Sequence, residues 1–273
     1  MSTQQASDRE RPGFSDEDVA RYWDQNADLW SDHVRRGWDA YREHYNNPAF
    51  LAFLGDVVGK AVLDAGCGEG RNTRILARQG AHVVGVDISP RMIGLAREEE
   101  GKEPLGIHYE IASYSDLSLF PDASFDLVVS SMALMDGPDY EGAIREFFRL
   151  LGEHGELVFS ISHPCFMTRG FAWERDAQGN RVRLLVADYF DDEPWVERWS
   201  FSKSPLPEDP PPFAVPTFPR ILSYYLNTLI RSGFVLREVH EPRPSEEMCR
   251  EHPWLSCWRR HAPLFLYVRG AKP

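Results

Sequence analysis

The sequence predicts an α/β fold: a doubly wound, mostly parallel sheet of seven strands with helices on both faces. Three observations carry that expectation. From residue 61 onward, short apolar runs alternate with amphipathic helical stretches, the pattern of parallel strands joined by crossover helices. The first run empties into a turn with glycine at every second position, Gly66, Gly68 and Gly70, directly ahead of a helical stretch. Two further apolar runs, 235–240 and 264–268, bring the strands to seven and suit an antiparallel edge.

Taken in order, residues 1–14 are polar, carry Arg11-Pro12-Gly13 and are expected to form a mobile tail. Ser15 to Asp18 has the S-x-x-D form of a capping box. Val19, Trp23, Ala27, Trp30, Val34, Trp38, Tyr41 and Tyr45 then recur at offsets of three and four, so 15–60 reads as an amphipathic helical segment bent near Gly37. Strands are expected at 61–64, 82–87, 106–111, 125–130 and 155–162. Between them, helices are expected over 71–79, from Ser89-Pro90 to about 100, and over 139–151. After Ser162 the chain turns irregular, with Pro164, a turn at 177–180, the alternation Trp195, Glu197, Trp199, Phe201 and a proline-rich run over 205–219. Residues 164–218 therefore read as an inserted lid of short strands, whose aromatic face either packs the lid down or lines its inner surface. A helix from about 219 to 231 leads to the last two strands, so the sheet domain comprises 61–163 and 219–273.

Composition removes several function classes. A formal net charge of −12 opposes a polyanionic partner, since affinity for nucleic acid comes largely from Lys and Arg displacing counterions. Cys67, Cys165, Cys249 and Cys257 show neither CxxC spacing nor histidines at zinc-site offsets, so they are expected to be reduced thiols and no metal site is expected. No apolar run approaches the roughly 20 residues that span a bilayer, and the first residues lack the pattern of a signal peptide. The expectation is a cytoplasmic protein, monomer or homodimer, with a small-molecule ligand and neither nucleic acid nor membrane as partner.

The chemistry is expected at Val62-Leu63-Asp64-Ala65-Gly66-Cys67-Gly68-Glu69-Gly70-Arg71-Asn72, where a buried strand runs into the glycine turn and then a helix. Such a turn lets a ligand approach bare backbone and the first amides of the helix. A dinucleotide site asks for G-x-G-x-x-G, yet counting from Gly66 places Arg71 at the third glycine. That weakens an NAD-dependent oxidoreductase without excluding it. The second strand ends at Asp87, 21 residues after Gly66, where a carboxylate can accept hydrogen bonds from both hydroxyls of a ribose.

Asp64, Gly66, Gly68 and Gly70 together match the D-x-G-x-G-x-G turn, and on these residues the chain resembles the class I S-adenosylmethionine (SAM)-dependent methyltransferases, enzymes of Rossmann-like fold. The resemblance implies S-adenosyl-L-methionine as cofactor, its amino acid end cradled by Asp64, Gly66, Cys67 and Gly68, its ribose on Asp87 and its adenine flanked by Ile88 and Met92. Ser113 and Tyr114 occupy the next cofactor-contacting segment, with serine where the family usually has aspartate. Ser130 and Met132, at the exit of the fourth strand, fall where the transferable methyl faces the acceptor. Arg71 is either a partner for the methionine carboxylate or a solvated residue in a first helical turn. A SAM-binding module without catalytic activity stays open as a further alternative.

Weaker matches at 34–37, 41–42, 47–50, 68–73 and 160–166 resemble the toxoflavin-pathway N-methyltransferases of secondary metabolism. They imply a flat N-heteroaromatic or phenolic acceptor, with Trp38, Tyr41, Tyr45 and Met132 as substrate-binding residues and Trp30 in the core. Methyl transfer is an in-line displacement in which alignment supplies much of the acceleration and no metal is required. His163, at the mouth of the fifth strand, is the candidate general base and acceptor contact, or else a cap for nearby backbone groups.

Overall fold

The computed structural model describes residues 13–201 and 213–273. The chain runs α1 (Asp16–Arg35), a π-helical turn (Arg42–Asn46), α2 (Asn47–Leu54), β1 (Ala61–Ala65), α3 (Arg71–Arg78), β2 (His82–Asp87), α4 (Pro90–Lys102) and β3 (His108–Ile111). It continues through β4 (Phe125–Ser131), α5 (Tyr140–Leu150), β5 (Leu151–Ser162), β6 (Ala172–Arg175), β7 (Arg181–Leu185), β8 (Trp195–Trp199) and β9 (Phe213–Thr217). The last elements are α6 (Leu222–Arg231), β10 (Val235–His240), α7 (Glu246–Glu251), a 3-10 turn (Pro253–Leu255), α8 (Ser256–His261) and β11 (Phe265–Ala271).

Seven strands form one sheet in the order β10-β11-β5-β4-β1-β2-β3, with β1 to β5 parallel and β11 antiparallel to both of its neighbours. The sheet is apolar on both faces because helices cover both. Leu63 and Val128 turn toward α5 and α6, where Ile144, Phe147 and Leu229 are fully buried. Their chain neighbours Val62, Leu127 and Val129 turn the other way, onto Phe50, Leu76, Trp258 and Tyr267. Strand order reverses between β1 and β4, and in such sheets the crevice beyond the carboxyl ends of the strands is where ligands bind.

The N-terminal segment follows its capping signals. Ser15 and Asp18 form the reciprocal capping box, and the helix ends before Gly37, which takes the left-handed φ of +68°. Of the expected tail, residues 1–12 lie outside the described residues, but Phe14 packs edge-on against Tyr22 and Phe218 and so belongs to the ordered fold. The inserted segment forms two hairpins, β6–β7 and β8–β9. Only Phe213 to Phe218 and Pro219 of the proline-rich run expected to close the lid are described beyond residue 212; 205–212 lie outside the described residues. Asn26 of α1 donates to the Ala214 carbonyl at 2.9 Å, fastening β9 to the N-terminal helix.

Several boundaries differ from expectation. The fifth strand starts at Leu151, directly where α5 ends, and the sixth helix starts at Leu222 because Arg220 is occupied with the carbonyls of Leu134, Gly137 and Pro138. The short helices α7 and α8 were not foreseen, since six residues carry too little periodicity to read. Among the described residues no helix is long and apolar enough to cross a membrane.

Candidate active site

A cavity of about 630 Å³ opens beyond the carboxyl ends of β1, β2, β4 and β5. Asp64, Asp87, Ser131 and Ser162 mark those four strand ends on its wall. Val19, Trp23 and Trp30 of α1 and Glu197 and Trp199 of β8 close it from above.

The glycine turn is shaped by backbone requirements. Gly66 has φ +77°, and a Cβ there would lie 2.4 Å from that of Ala133, so both its conformation and its surroundings exclude a side chain. Gly68, at φ +57°, would meet nothing within 4 Å and so leaves its backbone open to the cavity. The amides of Gly66 and Cys67 both donate to the Val86 carbonyl, at 2.8 and 2.9 Å, which locks the turn to β2.

Asp87 sits at the junction. Its Oδ2 accepts from the Gly68 amide at 2.8 Å and its Oδ1 from the Ser89 amide at 2.9 Å, leaving a lone pair on each oxygen for a ligand. Burial outweighs those hydrogen bonds and pushes its carboxyl up to about 6. Asp64 accepts from the Thr73 hydroxyl at 2.6 Å and is likewise pushed up to about 6 by burial. Beside them, Glu69 Oε1 is buried without a hydrogen bond, 3.9 Å from the Arg42 guanidinium.

Of the sequence-predicted residues, Asp64, Gly66, Cys67, Gly68, Asp87, Ile88, Met92, Ser113, Tyr114, Tyr41 and Met132 all line this cavity. Met132 does so with φ +57°, a conformation that a side chain adopts only under constraint, here from its amide donating to the Ser160 carbonyl at 2.9 Å. Tyr114 donates to the Ala133 carbonyl at 3.2 Å and thereby ties the segment after β3 to the exit of β4.

Five expected residues, Arg71, Ser130, Trp38, Tyr45 and His163, are not on the wall. Arg71 points away and binds Glu43 at 2.6 Å and the Val34 carbonyl at 3.3 Å, clamping α3 to the N-terminal segment; Arg42, beside Glu69, and Arg181 are the arginines on the cavity wall. Ser130 is fully buried and donates to the Ala65 carbonyl at 2.8 Å, bridging β4 and β1, while its neighbour Ser131 reaches the wall. Trp38 packs edge-on against His33 at 4.6 Å, and Tyr45 is 1% exposed with its hydroxyl donating to the Pro242 carbonyl. Trp30, expected in the core, packs against Ala27 and Phe213 there and also reaches the wall. The break at Gly37 and the π-helical turn Arg42–Asn46 shift the helical phase, so a stripe extrapolated from α1 loses register there.

His163 is the clearest correction. It is 1% exposed, its Nδ1 accepts from the Cys165 amide at 3.2 Å, and its Nε2 therefore carries the proton and donates to Glu241 at 2.8 Å. Burial pulls its basicity below the usual imidazole value despite Glu241. Both ring nitrogens are engaged away from the cavity, so His163 secures a turn and takes no proton from an acceptor.

The wall suits a nucleoside joined to an amino acid. Asp87 offers acceptors for a ribose diol, Ile88 and Met92 offer apolar surface for a base, and the orphaned Glu69 oxygen beside Arg42 matches an ammonium and a carboxylate on one carbon. Fold and site thus define an enzyme of the nucleoside-binding α/β class. The profile of the Methyltransferase domain family matches residues 63–159. An S-adenosylmethionine-dependent methyltransferase from Mesorhizobium loti is 32% identical, with 82% of this chain and 96% of that chain covered and a TM-score of 0.68. The chain belongs to the SAM-dependent methyltransferase family, and SAM is its cofactor. The NAD-dependent and non-catalytic alternatives fall with that assignment.

Other similarities are narrower. The demethylmenaquinone methyltransferase of Tropheryma whipplei is 40% identical over 117 residues, which are 42% of this chain and 48% of that protein. The chain therefore matches about half the length of that relative. The 1,6-didemethyltoxoflavin-N1-methyltransferase of Burkholderia thailandensis is 15% identical, with 97% of this chain and 93% of that chain covered and a TM-score of 0.52, a likeness of fold alone.

Proposed function

We propose that this enzyme methylates a flat N-heteroaromatic or phenolic small molecule, a secondary metabolite, held in the half of the cavity between α1 and the inserted hairpins. The observation that carries the reading is the aromatic lining there: Trp23, Trp30, Phe171 and Trp199 offer rings to a planar acceptor. Bound SAM supplies an electrophilic methyl on a positively charged sulfur. Asp87, Asp64, Glu69 and Arg42 hold its ribose and amino acid ends, with Gly66, Cys67 and Gly68 as the floor, Ile88 and Met92 beside the adenine, and Ser113 and Tyr114 at its edge. Met132, at the exit of β4, and Tyr41 set the acceptor against that methyl. Fixing both reactants in this way replaces an improbable encounter in water by an aligned displacement. The net charge of −12 supports an acceptor other than nucleic acid.

Calorimetry with S-adenosylhomocysteine (SAH) tests the cofactor half: one site per chain is expected. Mass spectrometry after incubation with SAM and a panel of phenols and nitrogen heterocycles tests the acceptor half. A mass gain of one methyl on any member supports it; no gain on any member beside methylation of an aliphatic amine or alcohol run in parallel would replace it.

A further inference from the structure

The acceptor half of the cavity holds two carboxylates from distant parts of the chain. Asp136 lies on the loop after β4, five residues beyond Ser131. Glu197 lies in the middle of β8, on the strand face it shares with Trp199. Both line the cavity, as does Trp199. They are brought together by a built arrangement: the Phe218 amide, just after β9, donates to the Met135 carbonyl at 2.9 Å, and Thr217 beside it donates to Glu197 at 3.3 Å.

The loop that carries Asp136 is clamped on both sides. Arg220 donates to the carbonyls of Leu134, Gly137 and Pro138 at 3.2, 2.6 and 3.0 Å and lies over the ring of Tyr140. Gly137 abuts Tyr114 so closely that a Cβ would fall 1.9 Å from the phenolic oxygen. Arg220 thus spends its donors on backbone, and among the described residues no hydrogen bond or ion pair within contact distance engages the Asp136 carboxylate. Burial and the charge of Glu197 hold the Asp136 carboxyl far above the usual range, with Arg220 offsetting only part of this. Burial also raises Glu197. Asp136 is half-buried and Glu197 is exposed, both on the wall of one space, where together they would pair with a cationic ligand set against the face of Trp199.

We propose that Asp136 and Glu197 select an acceptor whose nucleophile is a basic nitrogen, and that Asp136 takes the proton which that nitrogen must lose. The inference rests on the methyltransferase reading of this cavity and narrows its acceptor from phenol or nitrogen to nitrogen. In the balanced step, the acceptor arrives as an ammonium and passes one proton to the Asp136 carboxylate, which becomes a carboxylic acid. The freed nitrogen lone pair forms the N–CH₃ bond as the S–CH₃ electron pair returns to sulfur, leaving a neutral thioether and a methylated ammonium. Glu197 remains ionised throughout and keeps the cation at the Trp199 face.

The test uses the full chain saturated with SAH and follows tryptophan fluorescence on addition of 2-phenylethylamine, 2-phenylethanol or phenylacetate at neutral pH. The amine, present as ammonium, is expected to bind roughly tenfold more tightly than the alcohol and more tightly still than the carboxylate. Asp136→Asn and Glu197→Gln are each expected to remove about that tenfold preference while the affinity for the alcohol and for SAH stays unchanged. Alcohol or carboxylate binding as tightly as the amine, no binding of the amine, or a preference that survives in both variants would overturn the proposal. Absence of SAH binding to the unmodified chain would instead strike the cofactor reading beneath it, so the two failures are told apart.

Discussion

The Gly68 amide donates to Asp87 Oδ2 at 2.8 Å, so the turn after β1 and the end of β2 meet at one carboxylate on the cavity wall. Asp87→Ala removes the acceptors for a ribose diol and leaves two amides without that partner, Gly68 on the cavity wall, where water can replace it, and Ser89 in the interior. Losing two hydrogen bonds to a charged group is expected to weaken SAH binding by about a hundredfold. The melting temperature of the free protein is expected to change little, because an ionised buried group departs with its hydrogen bonds. Calorimetry beside a thermal melt reads both, and unchanged SAH affinity would remove Asp87 from the cofactor site.

The same carboxylate sets a pH dependence. Burial raises Asp87 from an ordinary value of 3.8 to about 6 in the folded protein. A hydrogen-bond acceptor for two hydroxyls must be ionised, so SAH affinity is expected to fall about tenfold per pH unit below about 6. Stability of the free protein responds with the opposite sign. The folded state holds this proton more tightly than the unfolded chain, so the contribution is fully present below 3.8 and is lost as pH rises through about 6. Asp64, also raised to about 6, adds in the same direction. A titration series between pH 5 and pH 8 (roughly the span on either side of 6) checks the first trend, and a flat affinity profile would contradict it.

How far the sequence reached has a physical pattern. Residues 82–87 read as a strand because helices cover both faces of the sheet there, whereas 235–240, largely exposed at the sheet edge, reads as one from a short run with two valines just after Gly233. Asp87 and the glycine turn were legible because strand end, turn and helix start are consecutive in the chain. That Arg42 and not Arg71 reaches the cavity is not legible in the sequence, because the phase of the chain through Gly37 and the π-helical turn decides it and no local spacing encodes it. Of the two roles open to His163 the structure takes the cap, and the choice is not legible in the sequence because its partner Glu241 lies 78 residues away. Asp136 and Glu197 escaped notice for the same reason, since only the β8–β9 hairpin brings them to one wall.

Gly66 and Gly68 separate two causes of intolerance. Both have left-handed φ, which disfavours a side chain by about 1 to 2 kcal/mol. At Gly66 the new Cβ also meets that of Ala133 at 2.4 Å, and relieving such overpacking costs about 1 to 3 kcal/mol more. Gly66→Ala is therefore expected to destabilise by about 3 kcal/mol and Gly68→Ala by about 1 kcal/mol. Gly68→Ala, whose methyl enters open cavity, is expected to weaken SAH binding at least as much as it weakens the fold. Urea denaturation of both variants decides it, and equal losses of stability would show that the contact with Ala133 relaxes freely.

Arg42 and Arg71 make a paired prediction, because one faces the cavity and the other the protein. The Arg42 guanidinium is 3.9 Å from the buried Glu69 oxygen, a separation that leaves both groups free to engage an amino acid zwitterion. Arg42→Met is expected to weaken SAH binding by about tenfold, the worth of one charge-assisted contact. It is expected to leave binding of 5′-methylthioadenosine unchanged, since that ligand has the nucleoside without the amino acid. Arg71→Met breaks a half-buried pair with Glu43 at 2.6 Å and loosens the N-terminal segment, so it is expected to lower stability by about 1 kcal/mol. Its affinities for both ligands should stay close to those of the unmodified protein. The ratio of the two affinities is the decisive quantity, because a general loosening of the site shifts both ligands together. If Arg71→Met changes that ratio and Arg42→Met does not, the assignment of the inward cation is reversed.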